Sequence, residues 1–121
     1  MPSIERPLSG DVLVIDLAEE RARTANPEML ARSGRSARTL IKTGPLRLTL
    51  ISLAAGGEIA EHEADGPITV QPLEGRIRFS VPGAVHELGP GELLSLAPRV
   101  RHAVASEEGA TILLTVAAPT S

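Results

Sequence analysis

From about residue 37 onward, apolar and polar residues alternate in short runs, and glycine or proline interrupts each run. The clearest run is Arg76-Ile77-Arg78-Phe79-Ser80-Val81. Ile77, Phe79 and Val81 share one face and Arg76, Arg78 and Ser80 the other, the period of a strand with one buried side. Pro82-Gly83 turns this strand into a second over 84–88, and Gly89-Pro90-Gly91 turns that into a third over 92–96. Further strands are predicted over 100–105 and 110–116. Leu46, Leu48 and Leu50 alternate with Arg47 and Thr49, and the phase then slips at Ile51. Such a slip predicts a bulge or burial on both faces. Upstream, residues 12–17 read as a first strand, followed by brief helical stretches over 19–23 and 26–32. Asn26 can cap the second, Pro27 suits its first position, and Gly34 follows its last turn. Roughly nine short strands with turns every 8–12 residues or so predict an all-β sandwich or barrel.

A chain of 121 residues fits one domain, expected over 1–121, with the N-terminal strand and short helix in 1–35 and the barrel in 36–118. Hydrophobic residues make up 42% and supply a core, yet Phe79 is the only aromatic. That argues against the stacking platforms of single-stranded nucleic-acid binders and against aromatic-walled sugar or cation clefts. A net charge of -3 provides no field for nucleic acid or anionic membranes, and the basic run at 32–38 reads as a solvated loop. Without cysteine there are no disulfides, thiolate nucleophiles or zinc ribbons. The first residues do not read as a signal peptide, and the apolar run at 110–118 is about half a bilayer span. The expected location is the cytoplasm, with neither nucleic acid nor membrane as partner.

Within the β-rich half, two stretches carry histidines at fixed offsets from glycines. Gly56 is followed after five residues by His62, and that stretch runs through Ala64 and Ile68 to Gly75. Gly91 is followed by Ala97, Arg99, His102 and Ser106. This frame resembles the two motifs of the cupin family, jelly rolls built of two Greek keys. The first motif runs from glycine through His-x-His and a glutamate to a closing glycine. Gly56, His62 and Gly75 match it, while Ala64 stands where the second histidine belongs and Ile68 where the glutamate belongs. The second runs from glycine through Pro-x-Gly and a histidine to an asparagine. Gly91 and His102 match, and Ala97, Arg99 and Ser106 replace the proline, glycine and asparagine. The segment from His62 to Gly75 is also similar to a subset of small bacterial cupins reading His-x-Ala-x-Gly-Pro-Ile-Thr-x-Gln-x-Leu-x-Gly. The likeness covers about 46–116. It implies an all-β, single-domain, double-stranded β-helix (a jelly-roll barrel) with a short helical segment near the N-terminus.

Cupins with the full motif hold a divalent metal through three histidines and a glutamate. Here His62 and His102 alone remain, so the resemblance implies at most a weakly held transition metal (Zn, Ni, Fe or Mn) on these two. On an alternating strand, His62 shares its face with Ala60 and Ala64, whereas Glu61 and Glu63 point away. Gln71 is out of phase with Ile68 and Val70. The expected site is a polar spot of two imidazoles in an apolar pocket lined by Ala60, Ala64, Ile68 and Val70, the usual composition of a small-molecule site. His86, near the turn before Gly89, reads as surface; Glu61, Glu63 and Asp65 read as a solvated rim. Arg76, Arg78, Arg99 and Arg101 read as outward-facing. No catalytic triad, phosphate loop or inward carboxylate pair stands out, so no catalytic residue is nominated.

Three functions fit. The first is a cupin binding a small molecule beside His62 and His102 without strong catalysis. The second is a metal-dependent enzyme of dioxygenase, isomerase or decarboxylase type with an incomplete ligand set. The third is a structural dimer with a filled barrel. Ala64 and Ile68 weigh against the second, and retention of two histidines weighs against the third. A two-fold homodimer is expected, with residues 12–17 crossing to the partner and hiding an edge.

Overall fold

The computed structural model describes residues 6–118. Helices α1 (Leu17–Thr24) and α2 (Pro27–Ser33) precede β1 (Arg35–Thr43), β2 (Leu46–Leu53), β3 (Glu58–His62) and β4 (Ile68–Gly75). There follow β5 (Ile77–Val81), β6 (Ala84–Leu88), β7 (Leu94–Leu96), β8 (His102–Ala105) and β9 (Ala110–Ala117). Local chemistry sets the helix ends as expected. The Asn26 carboxamide oxygen accepts from the N–H groups of Glu28 at 3.0 Å and Met29 at 3.2 Å, Pro27 opens α2, and Gly34 closes it at φ 78°. Strands β7 and β8 begin two residues later than alternation alone predicts: the Glu92 N–H still donates to the Gly89 carbonyl at 3.1 Å, and residues 100–101 follow the turn at Pro98-Arg99 without joining a ladder.

Four antiparallel pairings nest inside one another: β5 with β6, β4 with β7, β3 with β8 and β2 with β9. The chain from β2 to β9 is one long hairpin, closed at Pro82-Gly83 and folded across itself. Folding delivers its strands to two sheets, ordered β1-β2-β9-β4-β7 and β3-β8-β5-β6. This is the jelly roll.

Between the sheets lies a cluster of Leu53, Ile68, Val70, Ile77, Phe79, Leu88, Val104, Ala110 and Ile112. A second cluster, Leu40, Leu50 and Leu113, covers the other face of the larger sheet, with Ile15 and Leu48 against it. The phase slip at Ile51 is therefore burial on both faces. Leu48 and Leu50 join the outer cluster, Ile51 and Leu53 the inner one, and β2 stays in unbroken register with β9.

Residues 12–17 do not form the expected first strand. Residues 12–16 pair with no strand among the described residues, and α1 begins at Leu17. Asp16 prefers a cap to a ladder: its carboxylate accepts the Glu19 N–H at 3.1 Å. Ile15 leans on the outer cluster while Val12 and Val14 are 80% and 89% exposed.

One carboxylate ties this N-terminal region to the sheet. Glu20 of α1 is 4% exposed and receives Arg6 Nε at 3.0 Å and Arg38 Nε at 2.6 Å. Arg6 also donates to the Leu40 carbonyl at 2.7 Å. Burial alone would raise the Glu20 pKa, but the hydrogen bonds and charges of Arg6 and Arg38 outweigh it and hold the carboxyl below its ordinary 4.5. A carboxyl depressed in the folded state adds stability above its unfolded pKa and loses it as pH falls through the folded value. Urea denaturation should show Glu20→Gln less stable by about 2–4 kcal/mol at neutral pH, because two arginines lose their charge partner. Below about pH 4.5 the native chain should lose this advantage progressively, and the two curves should converge. Curves that run parallel across that range would refute the assignment.

Candidate functional site

Alternation on β8 puts His102 and Val104 on the inner face and Ala103 and Ala105 outside. Val104 stands opposite Phe79 of β5 and Ile59 of β3. Strict alternation from Ile59 would carry Glu61 inward and His62 outward. Between Ile59 and His62, however, β3 has one residue more than β8, and this bulge returns His62 to the inner face directly opposite His102.

The two imidazoles lie with centroids 4.2 Å apart, inclined at 58°. His102, 3% exposed, also stacks on Phe79 at 5.3 Å and 8°, whereas His62 is exposed. Each Nδ1 is 2.9 Å from the carbonyl oxygen two residues earlier, Ala60 for His62 and Val100 for His102. A carbonyl only accepts, so both Nδ1 atoms donate, and in the neutral tautomer this fixes, Nε2 is the acceptor of each ring.

The bulge changes what surrounds the pair. Ala60, expected beside His62 on the cavity wall, is exposed and contributes its carbonyl instead of its methyl. Ala64 lies beyond β3, half-buried against the core. Ile68 and Val70 are 3% and 1% exposed and pack in the same cluster as Phe79, Val104 and Ile112, so they fill the interior where an open pocket was expected. Two clefts touch histidines, at opposite seams between the sheets. One, of about 360 Å³, follows Arg35, Ile59, Ala60, Glu61 and His62 where β1 approaches β3. The other, of about 330 Å³, follows Val81, His86, Leu88 and residues 93–96 where β6 approaches β7. Neither is shared by His62 and His102.

His86 is exposed, as expected, yet it stands opposite Phe79 and so belongs to the inner face. Counting back in twos from buried Leu88 would have found it. The other charged residues behave as predicted: Arg78 pairs with Glu107 and Arg101 with Glu61, each at 3.0 Å, and Glu63 and Asp65 are exposed. Gln71 stands opposite Leu113 on the outer face. Ser106, in the motif's asparagine position, is buried; its hydroxyl donates to the Arg76 carbonyl at 2.7 Å and accepts the Gly109 N–H at 3.0 Å.

A metal of the family type needs more donors than these. Among the described residues no three His, Cys, Asp or Glu side chains gather closely enough to hold an ion. The full four-ligand set does not fit this chain, since neither Ala64 nor Ile68 carries a donor atom.

No family profile matches the sequence, and no functionally curated protein matches it. Its three-dimensional relatives are clear. A cupin superfamily protein from Desulfitobacterium hafniense superposes with TM-score 0.68 at 20% identity, over 70% of this chain and 78% of that one. A conserved Streptococcus pyogenes protein of unknown function gives TM-score 0.72 at 23% identity, over 95% of each chain. Salicylate 1,2-dioxygenase from Pseudoaminobacter salicylatoxidans gives 0.79 at 15% identity over 93% of this chain, which spans only 37% of that larger protein. With the nested jelly roll, these matches establish the class: the chain has the cupin fold. No helix among the described residues is long and apolar enough to cross a membrane.

The loop beside the histidines carries one strained residue. Arg99 occupies the motif's glycine position at φ 62°, and its N–H donates to the Ala64 carbonyl at 2.7 Å. A left-handed arginine costs about 1 kcal/mol, part of which glycine would return. Thermal melts should show Arg99→Gly at least as stable as the native chain and Arg99→Val lower by about 1–2 kcal/mol. Identical melts for all three would mean the loop can relax its backbone.

Proposed function

We propose that this cupin binds a small organic molecule at the rim of its barrel, where exposed His62 covers buried His102, without strong catalysis. The observation that supports this is the imidazole pair itself, 4.2 Å between centroids, with both Nδ1 atoms bound to backbone carbonyls. Two Nε2 lone pairs so presented accept from a hydroxyl or an undissociated acid, and the cleft along Arg35, Ile59, Ala60, Glu61 and His62 admits the rest of the ligand from the seam. The filled interior around Ile68 and Val70 confines the ligand to the rim.

A second reading, a metal-dependent enzyme of dioxygenase, isomerase or decarboxylase type, draws support from the same Nδ1 bonds. Metal-binding imidazoles are oriented by a hydrogen bond of this kind. His62 and His102 would hold the ion weakly, water or substrate completing its shell, and the ion would supply Lewis acidity. Elemental analysis after chelator-free purification decides between the two. Well under one equivalent of Zn, Ni, Fe or Mn is expected, together with shifts at both imidazole signals when small hydroxy acids are screened by NMR. Near-stoichiometric metal that disappears in His62→Ala would reverse the order.

We also propose a two-fold homodimer. Val12 and Val14 flank an extended segment that has no ladder partner among the described residues, and association would cover them. Light scattering should report two chains, and Val12→Asp/Val14→Asp should report one. A monomeric native chain overturns the proposal.

A further inference from the structure

All three histidines of the chain lie on the inner face of the β3-β8-β5-β6 sheet, grouped about its one phenylalanine. His62 and His102 form the pair already described. His86 lies on β6, at the opposite edge of the sheet from His62, and takes no part in that pair. Its cross-strand neighbour Phe79 is 0% exposed, yet His86 itself is exposed. The seam explains this. Strands β6 and β7 end their sheets on the same side, no ladder joins them, and the gap between them is the 330 Å³ cleft.

The cleft is chemically simple. Val81 and Leu88 wall it from one sheet, Leu94, Ser95 and Leu96 from the other with Leu93 just before them, and His86 is the only ionisable residue lining it. Glu87, next in sequence, stands opposite Arg78 on the outer face and lines a different cleft. Leu93 is 62% exposed, so an apolar occupant would remove a leucine from water. An imidazole N–H in a cleft whose other lining is five apolar residues and Ser95, with no carboxylate among the described residues lining it, suits a single acidic head group. The volume lies at the lower end for ligand sites and limits the body to about a dozen heavy atoms.

We propose that the β6–β7 seam is a binding site for a small monocarboxylic acid. His86 donates to the carboxylate, and Leu88, Leu93, Leu94 and Leu96 cover the hydrocarbon. This site is separate from the one proposed for His62 and His102 and does not depend on it.

Octanoate is a suitable probe, titrated into the full-length protein and followed by the imidazole and leucine methyl NMR signals. With only three histidines to assign, the sites can be told apart. Saturable shifts are expected at His86 and the Leu93 and Leu94 methyls, with His62 and His102 unmoved. Calorimetry should show binding weakened at least about tenfold by His86→Ala, less by His86→Gln, which keeps an N–H donor, and also by Leu93→Asp. Shifts at His62 and His102 in place of His86 would overturn the seam site while leaving the imidazole-pair proposal standing. Unchanged affinity in His86→Ala would also overturn it. So would a Leu93→Asp chain that changes from dimer to monomer with octanoate binding intact, since the seam would then be an interface between copies.

Discussion

The stack of His102 on Phe79 joins the core of this barrel to its surface chemistry. Phe79 is 0% exposed and the only aromatic residue in the chain, so it fixes the spacing of the inner face at the centre of its sheet. Stacked on it, His102 packs as a core residue would, at 3% exposure, with its Nδ1 bound to the Val100 carbonyl. His62 then rests on His102 and reaches solvent. The polar spot is thus an outgrowth of the core, and changes at Phe79 would be felt at the imidazoles.

Much of the architecture was legible in the sequence. The turn chemistry at Pro82-Gly83 and Gly89-Pro90-Gly91, the capping at Asn26 and Gly34, and the two glycine-to-histidine spacings are local signals, and each sits where the structure uses it. What escaped was non-local. The β3 bulge shows only as a shift in pairing with β8, so alternation put Ala60 on the face of His62, whereas the juxtaposition of the two histidines followed from the motif resemblance and not from alternation. Residues 12–17 form a β-branched apolar run of strand length, but a strand needs a neighbour, and none among the described residues pairs with residues 12–16. The filled interior was hidden for a related reason: apolar residues at Ile68 and Val70 serve a pocket wall and a packed core equally well in sequence, and only the approach of the opposite sheet decides.

The motif's replacements divide into two kinds. Ala64 and Ile68 remove donor atoms and leave apolar side chains that pack inward, which changes the chemistry. Arg99 and Ser106 preserve the frame. Arg99 adopts the backbone conformation that glycine would adopt freely, and Ser106 bridges the strand end at Arg76 to the turn at Gly109. The frame of turns and strands around these positions keeps the two imidazoles in contact, with centroids 4.2 Å apart.

The nested pairing also orders the entropy of loop closure. Val81 and Ala84 close a turn almost without loss, whereas Leu46 and Ala117 could meet alone only by restraining nearly all the chain between them. Taken from the inside outward, each pairing closes a loop already shortened by the last, so the increments stay small. Contacts this distant in sequence place the domain among slow-folding topologies. His62 and His102 meet at the third closure, after β5–β6 and β4–β7. The imidazole pair therefore reports on long-range order: its two strands enclose both inner hairpins, β5–β6 and β4–β7, between them.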